Sequence, residues 1–216
     1  MREKAKGGAG ARETKSLWAV AKSEFRRHLT VLTVFLAFLW LVHLVNVATG
    51  DRLRAFGIEP RTTHGLVGIL FAPFLHNDVS HLFSNTIGVL TLGWLVMIRE
   101  TWHFPIVALF SLVIGGFVTW TIGGSGVHAG ASGIVYGFFG YLLLSGWFSR
   151  SFGWILFSLA TFACFGGLLY GMTPAAGEHI SISGHVGGFL GGVVAAYLLE
   201  KRRRRISLRS AKILGA

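Results

Sequence analysis

Long apolar runs, separated by short polar or charged stretches, follow one another along most of the chain. A helix needs about 20 mostly apolar residues to cross a bilayer, because the hydrocarbon core is about 30 Å thick and each residue rises about 1.5 Å. Six runs reach this length or come close to it. They are residues 29–48, 80–98, 103–123, 132–149, 152–172 and 181–199. The pattern predicts an all-α polytopic membrane protein with a six-helix bundle.

Composition agrees with this pattern. Of the 216 residues, 52% are hydrophobic and only 13% are charged, and the mean hydropathy is +0.61. Ordinary soluble domains are about 25% charged. We therefore expect one membrane domain over residues 29–199, with a basic segment at 1–28 and a basic tail at 200–216. The only cysteine, Cys164, has no partner for an intramolecular disulfide, and we expect it to be a small buried hydrophobe.

The net charge of +11 is concentrated at the two ends of the chain. Eight Lys and Arg residues lie within residues 2–27 and seven within residues 201–212. Cytoplasmic flanks of membrane helices are enriched in Lys and Arg, and an even number of spans returns the chain to its starting side. Both termini are therefore predicted to be cytoplasmic, with Arg99 and Arg150 in short inner loops.

The basic ends of the chain also indicate contact with the lipid bilayer. Attraction to anionic lipid headgroups explains them, whereas no folded module for nucleic acid accompanies them. We expect no nucleic-acid partner. We expect no cleavable signal peptide, because residues 1–28 are basic and polar and lack a compact apolar core, so the first span is the predicted insertion signal. Residues 16–28 fit either a short interfacial helix or a disordered basic leader.

Polar side chains recur where spans two, four and six begin, all on the predicted outer face. His81 and Asn85 lie four residues apart in span two, Ser132 and Tyr136 lie four apart in span four, and His185 is in span six. A spacing of four places two side chains on one helical face. Polar groups inside membranes are costly and point to function. The other histidines lack such company and are predicted to be interfacial or loop residues: His28, His43, His64, His103 and His128.

Spans four and six also carry glycines at matching spacing. Gly184, Gly188 and Gly192 form a ridge in span six, and Gly133, Gly137 and Gly140 form one below Ser132. Small residues let two helix backbones approach closely. Facing ridges would bring Ser132 and His185 together at one depth.

A serine and a histidine at hydrogen-bond distance form the minimum for nucleophilic catalysis, because the imidazole removes the hydroxyl proton during attack. No carboxylate lies within the spans, so we infer a dyad of Ser132 and His185. The backbone N–H of Ser132, the Asn85 amide and the His81 imidazole are the available oxyanion donors.

The carboxylates that flank these spans are predicted to have no catalytic role. Asp78, or Ser80, is predicted to cap the start of span two, and Glu178 to be a solvated loop residue. His76 and His81 lie five apart and lack the H-E-x-x-H pattern of a helical zinc site, so we expect no metal and no cofactor.

Three motifs together resemble the rhomboid intramembrane serine proteases. They are "FLHNDVSHLFSN" from Phe74 to Asn85, "GASG" from Gly130 to Gly133 followed by Tyr136, and "GHVGG" from Gly184 to Gly188. Their order on spans two, four and six also matches, and the resemblance covers about residues 28–200. The first outer loop, residues 50–65, looks short in this chain. It also lacks the tryptophan–arginine pair that is often found in this loop of the family.

The resemblance implies a fold, an activity and residue roles. Ser132 would be the nucleophile and His185 the general base, with His81 and Asn85 at the oxyanion site. Gly130 and Gly133 would support the nucleophile motif, Tyr136 would pack near the catalytic histidine, and His76 would be structural. The implied substrates are single-pass membrane proteins cut near the outer face, and the implied location is a bacterial plasma membrane with the site on its extracytoplasmic side.

Two other functions remain open on the sequence alone. A rhomboid-like protein that binds membrane helices, or monitors their quality, without cutting them would share the fold. A small transporter would also use interrupted glycine-rich helices, although no inverted repeat relates spans one to three with spans four to six.

Overall fold

The computed structural model describes residues 3–177 and 180–213, with side chains over 17–177 and 180–210. This part of the chain is helical, apart from turns and one isolated antiparallel bridge. Eight helices follow in order: α1 (Glu3–Ala48), α2 (Thr63–Phe71), α3 (Val79–Gly88), α4 (Trp94–Arg99), α5 (His103–Ile122), α6 (Ser132–Ser149), α7 (Phe152–Phe165) and α8 (Ile182–Ile213). A π-helical turn, Val89–Gly93, joins α3 to α4.

Five helical stretches of the described chain are long and apolar enough to cross a membrane. They are Leu17–Ala48, Val79–Arg99, His103–Ile122, Phe152–Met172 and Ile182–Ser210. The remaining predicted span, span four at 132–149, is the helix α6 with those bounds, but it is not one of these five. Its residues from Ile134 to Leu142 are all buried. A helix enclosed by other helices can carry glycine, serine and tyrosine, because it does not need an apolar surface toward lipid.

The bundle is centred on α6 and α8. The core residues Phe138 and Phe139 of α6 pack with Ala195 and Ala196 of α8, together with residues of α4 and α5. By contrast, α7 buries only Ser158 and Thr161. We call the end where α6 and α8 begin the site end, and the end where α8 continues into residues 201–213 the tail end.

The segment between α1 and α3 is longer and more ordered than residues 50–65 suggested. It contains a 3₁₀ turn, Arg52–Phe56, then α2, and a second 3₁₀ turn, Ala72–Phe74. The short apolar stretch Thr63–Phe74 had not been predicted as a helix. The side chain of Thr62 caps α2 by accepting a hydrogen bond from the Gly65 N–H at 3.0 Å, which explains why the helix begins there.

Both basic ends are helical where they are described. The helix α1 continues unbroken through residue 28, and α8 runs on to Ile213. A helix over residues 16–28 was one of the two forms expected, and Leu17, Trp18 and Phe25 are exposed on it. The disordered alternative is wrong for this stretch.

Several buried and exposed positions differ from expectation. Cys164 is exposed and not buried, because it lines an open apolar cleft between α7 and the segment from Leu90 to Leu95. His28, His43 and His103 are buried on helices and are therefore not loop residues. The ring of His28 packs edge-on against Trp94, and Nδ1 of His103 lies 2.7 Å from the Tyr141 hydroxyl. His28 lies on a helix because α1 begins well before the predicted span at residue 29. His43 and His103 lie within predicted spans, on faces that the bundle covers.

Candidate active site

Ser132 and His185 lie in contact at the site end. Ser132 is the first residue of α6, and its Oγ is 3.0 Å from Nε2 of His185 in the first turns of α8. His185 is only 8% exposed. The start of α8 is held by Ser181, whose Oγ accepts a hydrogen bond from the Gly184 N–H at 3.3 Å. Helix starts from two separate parts of the chain therefore position the pair.

The second nitrogen of His185 is also held. Its Nδ1 lies 2.8 Å from the carbonyl oxygen of Gly171, in the 3₁₀ segment Gly166–Met172 that follows α7. A carbonyl oxygen can only accept a hydrogen bond, so Nδ1 carries the proton. The lone pair of Nε2 therefore faces the Ser132 hydroxyl, in the arrangement a general base needs.

Tyr136 completes the packing around the imidazole. Its ring stacks on that of His185 with centroids 3.9 Å apart and an angle of 16° between the planes. Gly171 lies against the same group, because a Cβ at this position would overlap the Tyr136 hydroxyl oxygen and lie 3.4 Å from Nδ1 of His185. The absence of a side chain at residue 171 lets its carbonyl reach the imidazole while the tyrosine stays stacked.

Glycines bring the α6 and α8 backbones together directly below this pair. A Cβ on Gly188 would overlap the carbonyl oxygen of Gly133, and one on Gly192 would overlap that of Gly137. The two predicted ridges therefore face each other. The adjacent glycines of α8 meet α5: a Cβ on Gly187 would lie 2.9 Å from the Cα of Gly115. The helix that carries His185, α8, therefore lies in direct contact with the backbones of both α6 and α5.

The predicted oxyanion donors lie on the other side of Ser132. Gly130 has φ +129°, and a Cβ there would lie 2.5 Å from Cε1 of His81 and 3.6 Å from Nδ2 of Asn85. Asn85 is 5% exposed, and its Nδ2 has no hydrogen-bond partner among the described residues. The N–H of Ser132 belongs to the first turn of α6, where N–H groups have no acceptor within the helix. Three donors thus border the Gly130–Ser132 turn.

His76 holds the same turn from behind. The N–H of Ala131 donates to its Nε2 at 3.3 Å, and the ring is almost completely buried. Burial, with smaller contributions from His81 and His43, lowers the pKa of His76 to about 3. The neutral ring can accept the Ala131 hydrogen bond, so the contact with the turn fits the structural role expected of this residue.

Asp78 begins the helix that carries His81 and Asn85. Its carboxylate accepts a hydrogen bond from the His81 N–H at 2.8 Å, so the predicted cap is confirmed and is Asp78. Glu178 and His179 lie outside the described residues.

Two contributors to the site were not found from the sequence. Gly171 acts through its backbone carbonyl, which leaves no trace in residue type. His128 was expected to be an isolated loop residue, but its Nδ1 lies 2.8 Å from the hydroxyl of Ser181, and its backbone forms an antiparallel bridge with Ile58. It links the loop before Ser132 to the start of α8. Its position four residues before Ser132 was the only available signal.

A small cavity adjoins the nucleophile position. It measures about 50 Å³ and is lined by Ser132, Gly133, Gly130 and His128 together with residues of α2 and α5. Among the residues described above, no group of three or more His, Cys, Asp or Glu residues is arranged to hold a metal ion.

An all-helical membrane protein with a serine–histidine pair at one end of its bundle is the class that this fold and geometry define. The model of the Rhomboid domain family matches residues 63–202. Uncharacterized proteins of Mycobacterium bovis and Mycobacterium tuberculosis are each 39% identical over 196 residues, covering 87% of this chain and 80% of theirs. An uncharacterized protein of Mycobacterium leprae is 39% identical over 184 residues, covering 82% and 72%.

The chain belongs to the rhomboid family, as the three sequence motifs predicted. It is a multi-pass integral membrane protein. The family consists generally of intramembrane serine proteases and includes inactive members. The activity of this chain is therefore a separate question from its membership.

Proposed function

We propose that this protein is an intramembrane serine endopeptidase that uses Ser132 as nucleophile and His185 as general base. The observation that carries the proposal is the distance of 3.0 Å from Ser132 Oγ to His185 Nε2, with Nδ1 of the same ring bonded to the Gly171 carbonyl. An inactive member of the fold does not need an imidazole whose tautomer is fixed in this way.

Acylation follows from this geometry. The Ser132 hydroxyl gives its proton to Nε2 of His185 as Oγ attacks the carbonyl carbon of the scissile peptide bond. The imidazolium then returns that proton to the nitrogen of the leaving amine, and an ester to Ser132 forms. A water molecule, deprotonated by the same nitrogen, hydrolyses the ester and restores the serine.

The Gly171 carbonyl has the orienting task in this dyad. It accepts from Nδ1–H throughout the cycle, so it keeps the ring in one tautomer and stabilises the positive charge that develops on the imidazolium. The stacked ring of Tyr136 limits rotation of the imidazole.

The developing oxyanion would be stabilised by the N–H of Ser132, the amide of Asn85 and the imidazole of His81. The buried, unpartnered Nδ2 of Asn85 supports this assignment, because a donor without an acceptor has lost its bonds to water and gains most when an anion forms beside it. His81 is half-buried and borders the same turn.

The orientation predicted from the positive charges supports the proposed place of cleavage. If α6 crosses the bilayer in addition to the other five stretches, the chain has six crossings and both basic ends lie on one side. Their positive charge then makes that side cytoplasmic, and the site end faces the extracytoplasmic side of a bacterial plasma membrane. Family resemblance gives the substrates as single-pass membrane proteins. A helical peptide bond must unwind before attack, since its backbone is otherwise hydrogen-bonded within the helix.

The test is cleavage of a panel of tagged single-pass membrane proteins in liposomes. Ser132→Ala and His185→Ala should each lower the rate by about 10⁴-fold or more. Ser125→Ala and His64→Ala are matched controls, because both residues are exposed, and they should retain full activity. Full activity in either dyad variant would refute the proposal. Binding of the substrates without any cleavage by the wild type would favour a non-proteolytic helix-binding protein.

A further inference from the structure

Two cavities meet at the tail end, far from Ser132 along the helices. The first measures about 250 Å³ and lies between the α4–α5 turn and α8; its lining includes Arg99, Arg202, Arg203, Trp102, Trp154 and Glu200. The second is a groove of about 940 Å³ between α1 and the start of α5. Glu100 and Trp102 line both, so the two cavities adjoin at the α4–α5 turn.

A buried ion pair and an aromatic ring form one wall of the first cavity. The guanidinium of Arg99 is paired with Glu200 at 2.7 Å and lies 4.4 Å from the centroid of the Trp154 ring. The two charged side chains are only 4% and 5% exposed. The Nε of Arg99 is buried and has no hydrogen-bond partner within the described residues. Arg99 therefore adds a fixed positive charge to the cavity lining, with part of its hydrogen-bonding capacity unused.

Two further guanidinium groups stand at its mouth. Arg202 lies over the Trp102 ring at 5.3 Å, and Arg203 is its exposed neighbour on α8. Two carboxylates also line the cavity: Glu200 is already paired, and Glu100 is exposed. Three guanidinium groups against two carboxylates leave the cavity with a net positive charge, which favours an anion. Guanidinium groups match the geometry of phosphate oxygens and bind them through paired hydrogen bonds.

The adjoining groove has the opposite character. Val31, Val34, Phe35 and Phe38 of α1 line one side and Phe104 of α5 the other. Val34 and Phe38 are 64% and 47% exposed, and polar residues are confined to the end near Glu100. An apolar channel that ends at a basic cavity is the shape of an amphiphile with an anionic headgroup.

We propose that the tail end binds one anionic phospholipid, with its phosphate among Arg99, Arg202 and Arg203 and one acyl chain along the groove between α1 and α5. The site joins α1, α4, α5 and α8, so an occupied site holds the first and last membrane helices to the central ones. The proposal does not depend on catalysis by Ser132.

Thermal unfolding of the full chain, purified as Ser132→Ala in a neutral detergent and stripped of lipid, tests it. Phosphatidylglycerol should raise Tm by about 5 °C, because a ligand that binds only the folded state stabilises it. Phosphatidylcholine and inorganic phosphate should have much smaller effects. Native mass spectrometry should retain one phosphatidylglycerol per chain. An equal shift with inorganic phosphate would show a free-phosphate site and overturn the lipid assignment.

Matched variants separate a defined site from general attraction. Arg202→Gln with Arg203→Gln should weaken phosphatidylglycerol binding by at least about tenfold. Arg204→Gln with Arg205→Gln removes the same charge from the next residues, which line a different cavity, and should leave the shift intact. If both double variants reduced the Tm shift by phosphatidylglycerol equally, the basic tail would attract lipid by its charge alone, without a defined site.

The groove has its own variant. Val34→Trp should fill it and reduce the phosphatidylglycerol shift, whereas Val47→Trp, at another exposed position of α1 outside the groove, should not. An unchanged shift in Val34→Trp would contradict the acyl-chain assignment.

Discussion

The two ends of α8 are held in different ways. At the site end, glycines place its backbone directly against the backbones of α6 and α5, with no side chain between them. At the tail end, long side chains hold the same helix: Glu200 pairs with Arg99, and Arg202 covers Trp102.

The two kinds of contact hold α8 with different rigidity at its two ends. Backbone contacts leave no freedom to adjust, so a shift of the helix is resisted over tenths of an ångström. Catalysis needs that accuracy, since a misplacement of 1 Å can cost about 100-fold in rate. Ion pairs and stacked guanidinium groups tolerate small movements and can accept a ligand. The site end is therefore suited to fixed chemistry and the tail end to binding.

The largest effect outside the dyad is expected from Gly130→Ala. A Cβ there would lie 2.5 Å from His81 and would require an unfavourable positive φ, displacing two oxyanion donors. We expect kcat to fall by about 10²–10³-fold in the liposome assay. Gly126→Ala is the control, because Gly126 also has a positive φ but nothing within 4 Å of its Cβ. If Gly126→Ala lost as much activity as Gly130→Ala, backbone strain alone would explain the effect.

Gly188→Ala should have the next largest effect. The new methyl group would overlap the Gly133 carbonyl, so α8 must move away from α6 and carry His185 with it. We expect about 100-fold lower kcat and a loss of stability of about 1–3 kcal/mol, measured by cleavage and by thermal unfolding. Gly153→Ala, in α7 with open space around its Cβ, should change neither. Normal cleavage by Gly188→Ala would mean that glycine contact does not set the distance in the dyad.

A smaller loss is expected from Gly171→Ala. The methyl group would displace Tyr136, and with it the hydrogen bond between Nδ1 of His185 and the Gly171 carbonyl. We expect kcat to fall about tenfold, with an altered pH profile because the base would have lost its orienting partner. Gly167→Ala in the same 3₁₀ segment has nothing within 4 Å and should behave as wild type. An unchanged pH profile in Gly171→Ala would contradict the orienting role.

Glu200→Gln should have the smallest effect on cleavage. It leaves the buried Arg99 without its counter-ion, so stability should fall by about 3–5 kcal/mol while kcat at a permissive temperature stays within about twofold. The exposed pair of Glu24 and Arg27 supplies the comparison, and Glu24→Gln should cost less than about 1 kcal/mol. A loss of kcat in Glu200→Gln as large as in Gly188→Ala would remove the distinction between the two ends.

Much of the helical layout was predictable, because apolar length and helix rise depend on few factors. The start of α6 at Ser132 and the end of span two at Arg99 lie within a residue of the predicted bounds. The α2 helix was missed because Thr63–Phe74 is too short for a span and looked like loop. Cys164 was misassigned because an apolar residue in a membrane helix faces lipid as readily as core.

The side chains of the candidate site were visible because each is a polar residue in an apolar helix. Their partners were not. Gly171 contributes only a carbonyl, and Glu200 stands at the start of the basic tail, where nothing in the sequence indicates its pairing with Arg99. Contacts between residues distant along the chain leave no pattern in spacing, so the tautomer of His185 and the tail-end cavity required the structure.

Reaction with a fluorophosphonate tests the dyad most directly, because this reagent labels a serine only when a base activates it. The intact protein in liposomes should be labelled at Ser132, identified by mass spectrometry of the modified peptide. Labelling should be absent in Ser132→Ala and strongly reduced in His185→Ala, while Ser125→Ala should label as wild type. A folded wild-type protein that never labels, or a His185→Ala variant that labels fully, would contradict the account.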